Sequence, residues 1–400
     1  MADTRTGLPP RFDTADPDLL HDVYSQYVGL REYGPLCRFV PGAWGVTRHA
    51  EVSRLLRRPE LVKFFLPQAF FQDAVGSGPV ADFFQQMDIG RSDPGVRETL
   101  AHEFSAASSR RRIEEIQAAA AAALEPVLEA GSAEVVTELA RPLVLDVFCD
   151  VLGLPSAVRS AVAGWVSSLV NFGDISPTAT RSVDEANVAV RQLREVVSAE
   201  LAARDRSPRD DVLSRLAAVA TGNDVRRRCA DTVLALLYAG LETTANLIAT
   251  GIAALADFPD QYAVLRAAPH DAHLAVEEFL RYDPPIQVTL RSVQAPIEIG
   301  GQVIRAGRTL ALMLGCANRD ERVFAEPARL DVRRRPNPHV SFGGGSFYCF
   351  GAAHARSNAT AVFAELARRC ASIGPAGEPE RTAQFNFRSY TRLPVSLRPA

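Results

Sequence analysis

The chain has 400 residues, of which 47% are hydrophobic and 23% are charged, and its formal net charge at neutral pH is −3. This composition predicts a globular protein with a sizeable core and excludes a disordered chain. The slightly acidic balance is the opposite of what a protein held to nucleic acid by a basic surface would show, so no nucleic-acid partner is expected.

Six cysteines are scattered along the sequence: Cys37, Cys149, Cys229, Cys316, Cys349 and Cys370. They form no C-x-x-C pair, which disfavours a disulfide framework or a zinc site and favours a reducing compartment. The N-terminal stretch MADTRTGLPPRFD contains no apolar signal segment. We therefore expect a cytoplasmic protein that is not attached to a membrane.

Helical patterns dominate the chain, with a strand signal at 46–47 after Trp44. The predicted helices are 112–130, 134–152, 157–170, 182–204, 210–220, 224–258 and 269–282, separated by proline and glycine stop signals. The stretch PIEIGGQVIRAGRTLALML predicts a hairpin around Gly300 and Gly301 and then a third strand. A last strand pair is predicted at 384–388 and 394–397. The expected fold class is mainly α with a small antiparallel β region.

The helix predicted at 224–258 is unusually long and apolar. Between Asp231 and Asp257 its only formal charge is Glu242. A transmembrane helix is the alternative, but a central carboxylate costs about 3 kcal/mol in a bilayer, and no other segment resembles a second span. We expect a helix that crosses the core of a large globule and is hydrophobic nearly all round.

Gly240, Glu242 and Thr243 lie together in the middle of this helix, where they do not favour stability. A helical glycine costs about 1 kcal/mol relative to alanine. The Thr243 hydroxyl can bond to the carbonyl of Ala239, which would bend or open the helix. Such a groove could hold a small polar species beside Glu242, which could relay protons. The structural alternative is a kinked core helix whose polar groups are satisfied by water.

The stretch SFGGGSFYCFGAAHARSN places Cys349 behind three glycines and directly before a predicted helix. The free N–H groups of a helix N-terminus favour a thiolate, and glycines such as Gly343 allow backbone conformations that other residues avoid. From the residues alone, Cys349 could be an inert buried cysteine, a thiolate metal ligand or a nucleophile with His354 as its base. The last is the weakest, because His354 lies five residues further on.

Four sequence blocks occur together in this chain: the glycine-rich cysteine loop, A-G-x-E-T-T in the long helix, E-x-x-R, and ANRDERVFAEPARLDVRRRPNPHVSFG. In this order they make the chain resemble a soluble, bacterial-type cytochrome P450, and the resemblance spans nearly the whole sequence. It implies one cytochrome P450 domain over residues 1–400. It also implies a haem-thiolate monooxygenase that activates dioxygen.

The resemblance implies a role for each matching residue. Cys349 matches the thiolate that ligates the iron of haem b, and Glu242 and Thr243 match the acid–alcohol pair that delivers protons to dioxygen. Glu278 and Arg281, with Arg334, match a buried triad that braces the cysteine side of the fold. The other residues expected to contact haem are Arg97, Ala239, Arg291, Phe342, Gly343, Phe347 and Gly351.

The chain departs from the family pattern in the contacts to the haem carboxylates. Arg291 matches one basic residue of that pattern. In SDPGVRETLAHEF, however, the family commonly has His and then Arg four residues apart, and here these positions hold Arg97 and Ala101. Two residues before the cysteine the family commonly has His, and here it is Phe347. We expect haem to be held by fewer charged contacts and more apolar packing.

The substrate loop of the family corresponds to residues 62–90, which contain Phe64, Phe65, Phe70, Phe71, Phe83 and Phe84. Such a cavity suits a hydrophobic small molecule, aromatic compounds included, and the alternative is that these phenylalanines are ordinary core. Further expected pocket walls are Leu236, Ala239, Ile286–Thr289 and Arg388–Tyr390. Arg388 could bind a substrate carboxylate or be solvated.

The chain contains no flavin or iron–sulfur segment, so the resemblance implies electrons from NAD(P)H through a ferredoxin and its reductase. Arg110, Arg111 and Arg112 could lie near the cysteine, where an acidic ferredoxin would dock. By analogy the setting is bacterial secondary metabolism. Alternatives are a cytochrome P450-fold enzyme of another reaction type (cyclisation, coupling or desaturation), a non-catalytic recruitment module and, more distantly, a thiol hydrolase.

Overall fold

The computed structural model of the protein describes residues 8–14, 16, 19–40, 42–63, 77–87, 92–174 and 182–400. Within these ranges the helices are α1 (Leu19–Tyr33), α2 (His49–Leu55), α3 (Pro79–Gln86), α4 (Pro94–Glu103), α5 (Ala106–Arg111), α6 (Ile113–Ala130), α7 (Arg141–Leu152), α8 (Ser156–Gly173), α9 (Val183–Arg206), α10 (Val212–Val219), α11 (Asn223–Asp257), α12 (Pro259–Ala267), α13 (Ala272–Tyr282), α14 (Leu314–Ala317) and α15 (Ala352–Arg369).

The strands of the described residues are β1 (Leu36–Arg38), β2 (Ala43–Val46), β3 (Leu61–Lys63), β4 (Ser132–Glu134), β5 (Val288–Val293), β6 (Ile297–Ile299), β7 (Gln302–Ile304), β8 (Thr309–Met313), β9 (Cys370–Pro375), β10 (Glu380–Arg381), β11 (Tyr390–Arg392) and β12 (Pro394–Pro399). The largest sheet has the order β1-β2-β8-β5-β3. Its pairs are antiparallel except β2–β8, which is parallel. The helical body lies between β2 and β8 in the sequence, so no tight turn imposes an antiparallel direction on them.

Helix α11 crosses the core, as the sequence predicted. In the described part of the chain it is the helix long and apolar enough to span a bilayer, and 83% of its most apolar 18-residue window is buried inside the protein. Helices α7, α9 and α15 and strand β9 pack around it. The apolar run is therefore explained by burial against protein on all sides.

Helix α15, which begins just after Cys349, runs alongside α11. A Cβ added at Gly251 would lie 2.4 Å from Cζ of Phe363, so glycine allows direct contact between the two helices there. Nearer the start of α15, His354 lies 5.7 Å from Phe148 between ring centroids, and Cε2 of Phe148 lies 2.7 Å from the position of a Cβ at Gly240. These two contacts bring the beginning of α15 beside the middle of α11.

Most predicted elements are confirmed, including the hairpin β6–β7, in which Gly300 and Gly301 have φ of 57° and 78° as a tight turn requires. The predicted strand at 384–388 is wrong: that stretch contributes only the isolated bridge of Phe387 to Ile286, and β12 pairs with β4 and β9 instead. The predicted helix 134–152 is also interrupted, since Val135–Ala140 is π-helical before α7 begins. Helix α12 was missed because Pro259 reads as a stop signal, yet proline is well suited to the first turn of a helix.

Candidate functional site

The loop before Cys349 folds tightly because of its glycines. Gly343 and Gly345 have φ of 73° and 62°, in the left-handed region that favours glycine. A Cβ at Gly345 would lie 2.9 Å from the carbonyl oxygen of Leu56, so this residue must also be small. The loop then folds back, and the Cys349 N–H donates to the Phe342 carbonyl over 2.8 Å. The sequence thus places the thiol on a rigid backbone turn.

Cys349 is the exposed member of the six cysteines. Burial is nonetheless the largest influence on its pKa and raises it, while the Gly351 N–H and the charges of Lys63 and Arg356 act in the opposite direction. The thiol is thus accessible although protein atoms surround most of it. The Gly351 N–H favours the thiolate, as expected at a helix N-terminus, but desolvation has the larger effect and the pKa of Cys349 is raised overall.

One part of helix α11 faces free space, and it lies at the predicted position. Ala239 is exposed and Thr243 is half-buried, although most of the helix around them is buried. The Thr243 hydroxyl donates to the Ala239 carbonyl over 2.6 Å, as predicted. The helix nevertheless remains continuous, so this bond does not open it. Gly240 has a different role from the expected one: it makes room for the ring of Phe148 on α7.

Glu242 lies on another side of α11 from Thr243, since successive residues are about 100° apart around a helix. Its Oε2 accepts from Nε of Arg141 over 3.3 Å, and the exposed fraction of the side chain is 12% for Glu242 and 38% for Arg141. The carboxylate therefore sits between the interior and the surface at the start of α7. The structure shows no direct contact between Glu242 and Thr243 among the described contacts.

Arg291 on β5 is a buried cation with no carboxylate partner among the described residues. Its exposed fraction is 1%, and its Nη1 donates to Thr289 Oγ1 over 2.8 Å and to the Leu290 carbonyl over 2.9 Å. Its Nε has no partner, and its guanidinium carbon lies 5.2 Å from the ring centroid of Phe347. Desolvation lowers the pKa of Arg291 to about 10. Such a group fits an anion that none of the described residues supplies.

Arg97 lies on α4 and is exposed, and its neighbours Ala101 and His102 on the same helix are also exposed. His102 contacts the carboxylate of Glu103, with 3.3 Å between Nδ1 and Oε1. The structure thus places Arg97 at a solvent-accessible position but brings it into no described contact with Arg291 or the thiol loop.

Lys63 is a candidate that the sequence analysis missed. It is the only lysine in the sequence, and it ends β3 directly opposite Arg291 in β5. Its positive charge also lies close enough to Cys349 to lower the pKa of the thiol. The sequence did contain a signal for this residue: the chain is rich in arginine and has lysine at this one position.

The predicted triad of Glu278, Arg281 and Arg334 is confirmed. Arg281 on α13 forms two 2.8 Å bonds to the Glu278 carboxylate, and both side chains are fully buried. The Nε of Arg334 lies 3.1 Å from Oε2 of Glu278. The Asp331 N–H adds a further bond of 2.9 Å to the same carboxylate. This network joins α13 to the segment before the thiol loop.

The described part of the predicted substrate loop is packed, not open. Phe83 and Phe84 are buried with ring centroids 5.2 Å apart, and Phe84 also lies 5.4 Å from Tyr238 and 5.6 Å from Phe172. The remaining phenylalanines of the loop, Phe64, Phe65, Phe70 and Phe71, lie outside the described residues.

The sequence predicted that Arg388 would either bind a substrate carboxylate or be solvated, and both predictions are wrong. It is buried, and its Nε donates to Oδ1 of Asp283 over 2.9 Å. The neighbouring Ser389 donates to Asn246 on α11 over 2.5 Å. Of the other predicted pocket walls, Leu236 is buried and Ile286 and Thr289 are half-buried. These described walls are apolar or uncharged.

A mainly helical fold with a small sheet and an accessible thiol loop before its last long helix is the cytochrome P450 fold. The family model for cytochrome P450 matches residues 272–389. The chain is 32% identical to the biotin biosynthesis cytochrome P450 of Bacillus subtilis, over 96% of this chain and 98% of that protein. It is 31% identical to the 6-deoxyerythronolide B hydroxylase of Saccharopolyspora erythraea, over 84% of this chain and 86% of that protein.

A solved structure shows the same likeness. The structure of P450BioI in complex with acyl carrier protein ligated to hexadec-9Z-enoic acid superposes with a TM-score of 0.86 at 29% identity, covering 95% of this chain and all of that one. The chain therefore belongs to the cytochrome P450 family, a family of haem-thiolate proteins, and it is a monooxygenase and thus an oxidoreductase.

Proposed function

We propose that this monooxygenase acts as a single domain over residues 1–400 and oxidises a small hydrophobic organic substrate, with haem b bound through Cys349. The observation that carries the proposal is the combination of an accessible thiol with a buried Arg291 guanidinium whose Nε has no partner and which has no carboxylate partner among the described residues. These residues fit a haem, because its iron needs a thiolate and its carboxylates need cations. Haem bound in this way supplies the activation of dioxygen and the transfer of one oxygen atom.

The residues around the thiol would hold the haem. Cys349 Sγ would be the ligand, and the Gly351 N–H already bonded to it would stabilise its charge. Arg291 would bind a haem carboxylate, with Arg97 as a second basic residue. The remaining contacts proposed are apolar or main-chain ones from Ala239, Phe342, Gly343 and Phe347.

Thr243 and Glu242 are the proposed proton-carrying residues. The Thr243 hydroxyl lies where α11 faces free space, and it donates its proton to the Ala239 carbonyl. Glu242, bonded to the partly exposed Arg141, lies where a proton from solvent can reach the interior. Because Glu242 and Thr243 share no described contact, a proton from the surface near Arg141 would pass from Glu242 to the Thr243 oxygen through an intervening water.

The proposed substrate is hydrophobic because the described pocket walls offer no free charge. Arg388 is paired with Asp283, and the other walls are apolar or hydroxyl-bearing. The structural neighbour is a complex with an acyl carrier protein that carries hexadec-9Z-enoic acid, and one relative is a 6-deoxyerythronolide B hydroxylase, so fatty acyl chains, 6-deoxyerythronolide B and aromatic compounds form the test panel. Titration of each compound into the protein should shift the haem spectrum from low to high spin for the substrate class.

Electrons are proposed to come from NAD(P)H through a ferredoxin and its reductase in the bacterial cytoplasm. Arg110 and Arg111 on α5 are exposed, and α5 packs against α15, the helix that follows Cys349. An acidic ferredoxin would dock there. High salt should then slow electron transfer, and an unchanged rate would count against this docking.

The test of the function is the absorption spectrum of the reduced, CO-bound protein. A strongly red-shifted Soret band is expected for the wild type and should disappear in Cys349→Ser, whereas Cys229→Ser, at a buried cysteine, should keep it. A protein without haem would sink the proposal. Another reaction type, such as desaturation, would show the same band but yield a product without an added oxygen atom.

Thr243→Ala tests the proton step. Product formed per dioxygen consumed should fall by about tenfold or more, because a positioned proton donor contributes at least that much. Thr243→Ser keeps the hydroxyl and should stay close to the wild type. Equal coupling in Thr243→Ala and the wild type would remove Thr243 from the mechanism.

A further inference from the structure

Three buried side chains on the two helices α5 and α15 carry polar atoms without a hydrogen-bond partner among the described residues. They are Ser109 on α5 and His354 and Asn358 on α15, with exposed fractions of 4%, 5% and 2%. The four atoms are the Ser109 hydroxyl oxygen, His354 Nε2, and both Oδ1 and Nδ2 of Asn358. Buried polar groups are almost always hydrogen-bonded, to protein or to ordered water, so these atoms need a partner that the described chain does not provide.

His354 and Asn358 lie one turn apart on the same face of α15. Side chains at this spacing have Cβ atoms about 6 Å apart, so a direct bond between their polar ends is within reach, yet neither side chain makes it. Burial lowers the pKa of His354 to about 4, so the ring is neutral at neutral pH and Nε2 can donate or accept one bond. The Asn358 amide donates through Nδ2 and accepts through Oδ1. Complementary groups are thus held close together but not bonded.

Ser109 belongs to the helix that packs against this end of α15. Helix α5 contacts α15, and Arg112 at the end of α5 is near enough for its charge to act on His354. Ser109 precedes Arg112 by three residues, which places both on one face of α5. The Ser109 hydroxyl, which can donate and accept, therefore lies on the side of α5 that faces α15.

The surroundings of these groups are aromatic. The His354 ring lies 5.7 Å from that of Phe104 and 5.7 Å from that of Phe148, between centroids. Phe104 in turn lies 5.8 Å from Phe350, which follows Cys349. Aromatic rings form only weak hydrogen bonds. The partner of the four polar atoms must therefore be small and able both to donate and to accept, as water is.

We propose that Ser109, His354 and Asn358 bind ordered water between α5 and α15, next to the thiol loop. One water can accept from Asn358 Nδ2 and donate to two neighbours, and a buried water typically makes about three such bonds. The hydrated site joins α5 to the helix that begins after Cys349. It goes beyond the proposed function, since it requires no contact with haem.

Transfer of magnetisation from water to side-chain amides tests the site in the isotope-labelled wild-type protein, in the diamagnetic reduced, CO-bound form if haem is present. A nuclear Overhauser effect with the sign of a long-lived bound water is expected at the Asn358 amide, and Asn358→Leu identifies the signal by removing it. Asn318 is the internal control, because it is also buried and its amide donates to the Leu280 carbonyl over 3.3 Å and to Ser341 Oγ over 2.7 Å. No water signal at Asn358, or an equally strong one at Asn318, would overturn the proposal.

Unfolding in urea at neutral pH gives a second measurement. His354→Leu and Asn358→Leu each leave the remaining polar group with fewer partners, so each should raise the equilibrium constant for unfolding about tenfold. The double variant should return to within about threefold of the wild type, because replacing both partners by apolar groups is nearly neutral. Losses that simply add in the double variant would contradict a shared site.

The link to α5 has its own test. Ser109→Ala should weaken the water signal at Asn358, whereas Ser108→Ala, at the buried neighbour on the same helix, should leave it unchanged. An unchanged signal in Ser109→Ala would overturn the bridge between the helices. A crystal structure of the wild type should show water within about 3.2 Å of Asn358 and of Ser109 Oγ, and direct bonds among the three side chains would contradict the proposal.

Discussion

Arg281 and Arg291 are both buried and lie ten positions apart in the sequence, but their hydrogen-bond partners differ. The Arg281 guanidinium has two bonds to Glu278 and further bonds to the carbonyls of Asn318 and Pro327. Arg291 has one hydroxyl and one carbonyl as acceptors and a free Nε. The first arrangement is satisfied by the protein alone, whereas the second has no carboxylate among the described residues and would be completed by an anion from a bound ligand.

The same contrast extends to other side chains near the thiol loop. His354 Nε2 and both polar side-chain atoms of Asn358 are buried without partners, one helical turn apart on α15. Buried polar atoms without partners are uncommon in proteins and mark functional or hydrated sites. The thiol side of the molecule therefore has more buried polar atoms without described partners than the Glu278 network has. Five variants, each with a control, test this difference.

The largest effect is expected from breaking the balanced network. Glu278→Gln leaves the fully buried Arg281 and the nearby Arg334 without their shared carboxylate, which should reduce the free energy of unfolding by about 3 to 5 kcal/mol. Urea unfolding measures this loss of unfolding free energy. Asp146→Asn is the control, because Asp146 is mostly exposed in its pair with Arg159, and it should cost about 1 kcal/mol or less. Equal losses in the two variants would contradict the contrast.

A pH-dependent effect is expected from His354. Burial, with a smaller contribution from Arg112, lowers its pKa to about 4, below the value of about 6.5 in an unfolded chain. As the pH falls from 6.5 to 4, the unfolded chain takes up a proton that the folded protein does not, so this residue lowers stability by up to about 3 kcal/mol. His354→Leu should flatten that part of the curve of unfolding free energy against pH. Replacement of the exposed His273 by alanine should leave the slope unchanged.

Gly240→Ala tests the packed side of α11 beside its opening. A Cβ there would lie 2.7 Å from the Phe148 ring, and overpacking of this kind costs about 1 to 3 kcal/mol, partly offset by the better helix propensity of alanine. Thermal unfolding measures the loss. The exposed neighbour Ala239 is the control, since Ala239→Val adds two methyl groups into open space and should change stability by less than about 0.5 kcal/mol. A larger loss in Ala239→Val than in Gly240→Ala would refute the assignment of the opening.

Arg291→Met tests the unbalanced side directly. In apoprotein it removes a buried charge without a carboxylate, so the free energy of unfolding should stay constant or rise by about 1 kcal/mol, while haem retention should fall. The matched variant Arg281→Met should instead destabilise apoprotein and haem-bound protein alike. If Arg291→Met destabilised the apoprotein as strongly as Arg281→Met does, Arg291 would be a structural residue.

The smallest effect is expected from Phe347. Phe347→Leu removes the ring face beside Arg291, a contact worth about 0.5 to 1 kcal/mol, and should speed haem loss to apomyoglobin by about two- to fivefold. In an Arg291→Met background the same change should have no further effect. Additive effects of the two changes would mean that Phe347 acts by packing alone.

Local patterns predicted much of the fold and of the candidate site. The long apolar run with one central charge predicted α11 almost to its ends, and paired glycines predicted the β6–β7 hairpin. The bond from Thr243 to Ala239 was also predictable, because it spans only four residues of one helix. Features fixed within one segment are open to sequence reasoning, since their geometry depends on neighbouring residues alone.

The failures concern contacts between distant segments. The segment at 384–388 has strand-like residues but no partner strand, and β12 instead pairs with β4 and β9. From the sequence, Arg388 could bind a substrate carboxylate, but in the folded protein it is bonded to the carboxylate of Asp283. Neither outcome follows from periodicity, because each depends on which remote side chain or strand arrives at that place.

The sequence by itself determined the fold class, the long core helix, the thiol loop and the family, because these depend on local spacing and on motifs in a fixed order. Only the tertiary structure decided which charges are balanced. Among the described residues it placed a carboxylate beside Arg281 and none beside Arg291, and it paired the single lysine with Arg291, which lies more than two hundred residues further along the sequence. Charge balance in a protein interior depends on distance in space, and the register of β3 against β5 is what sets that distance here.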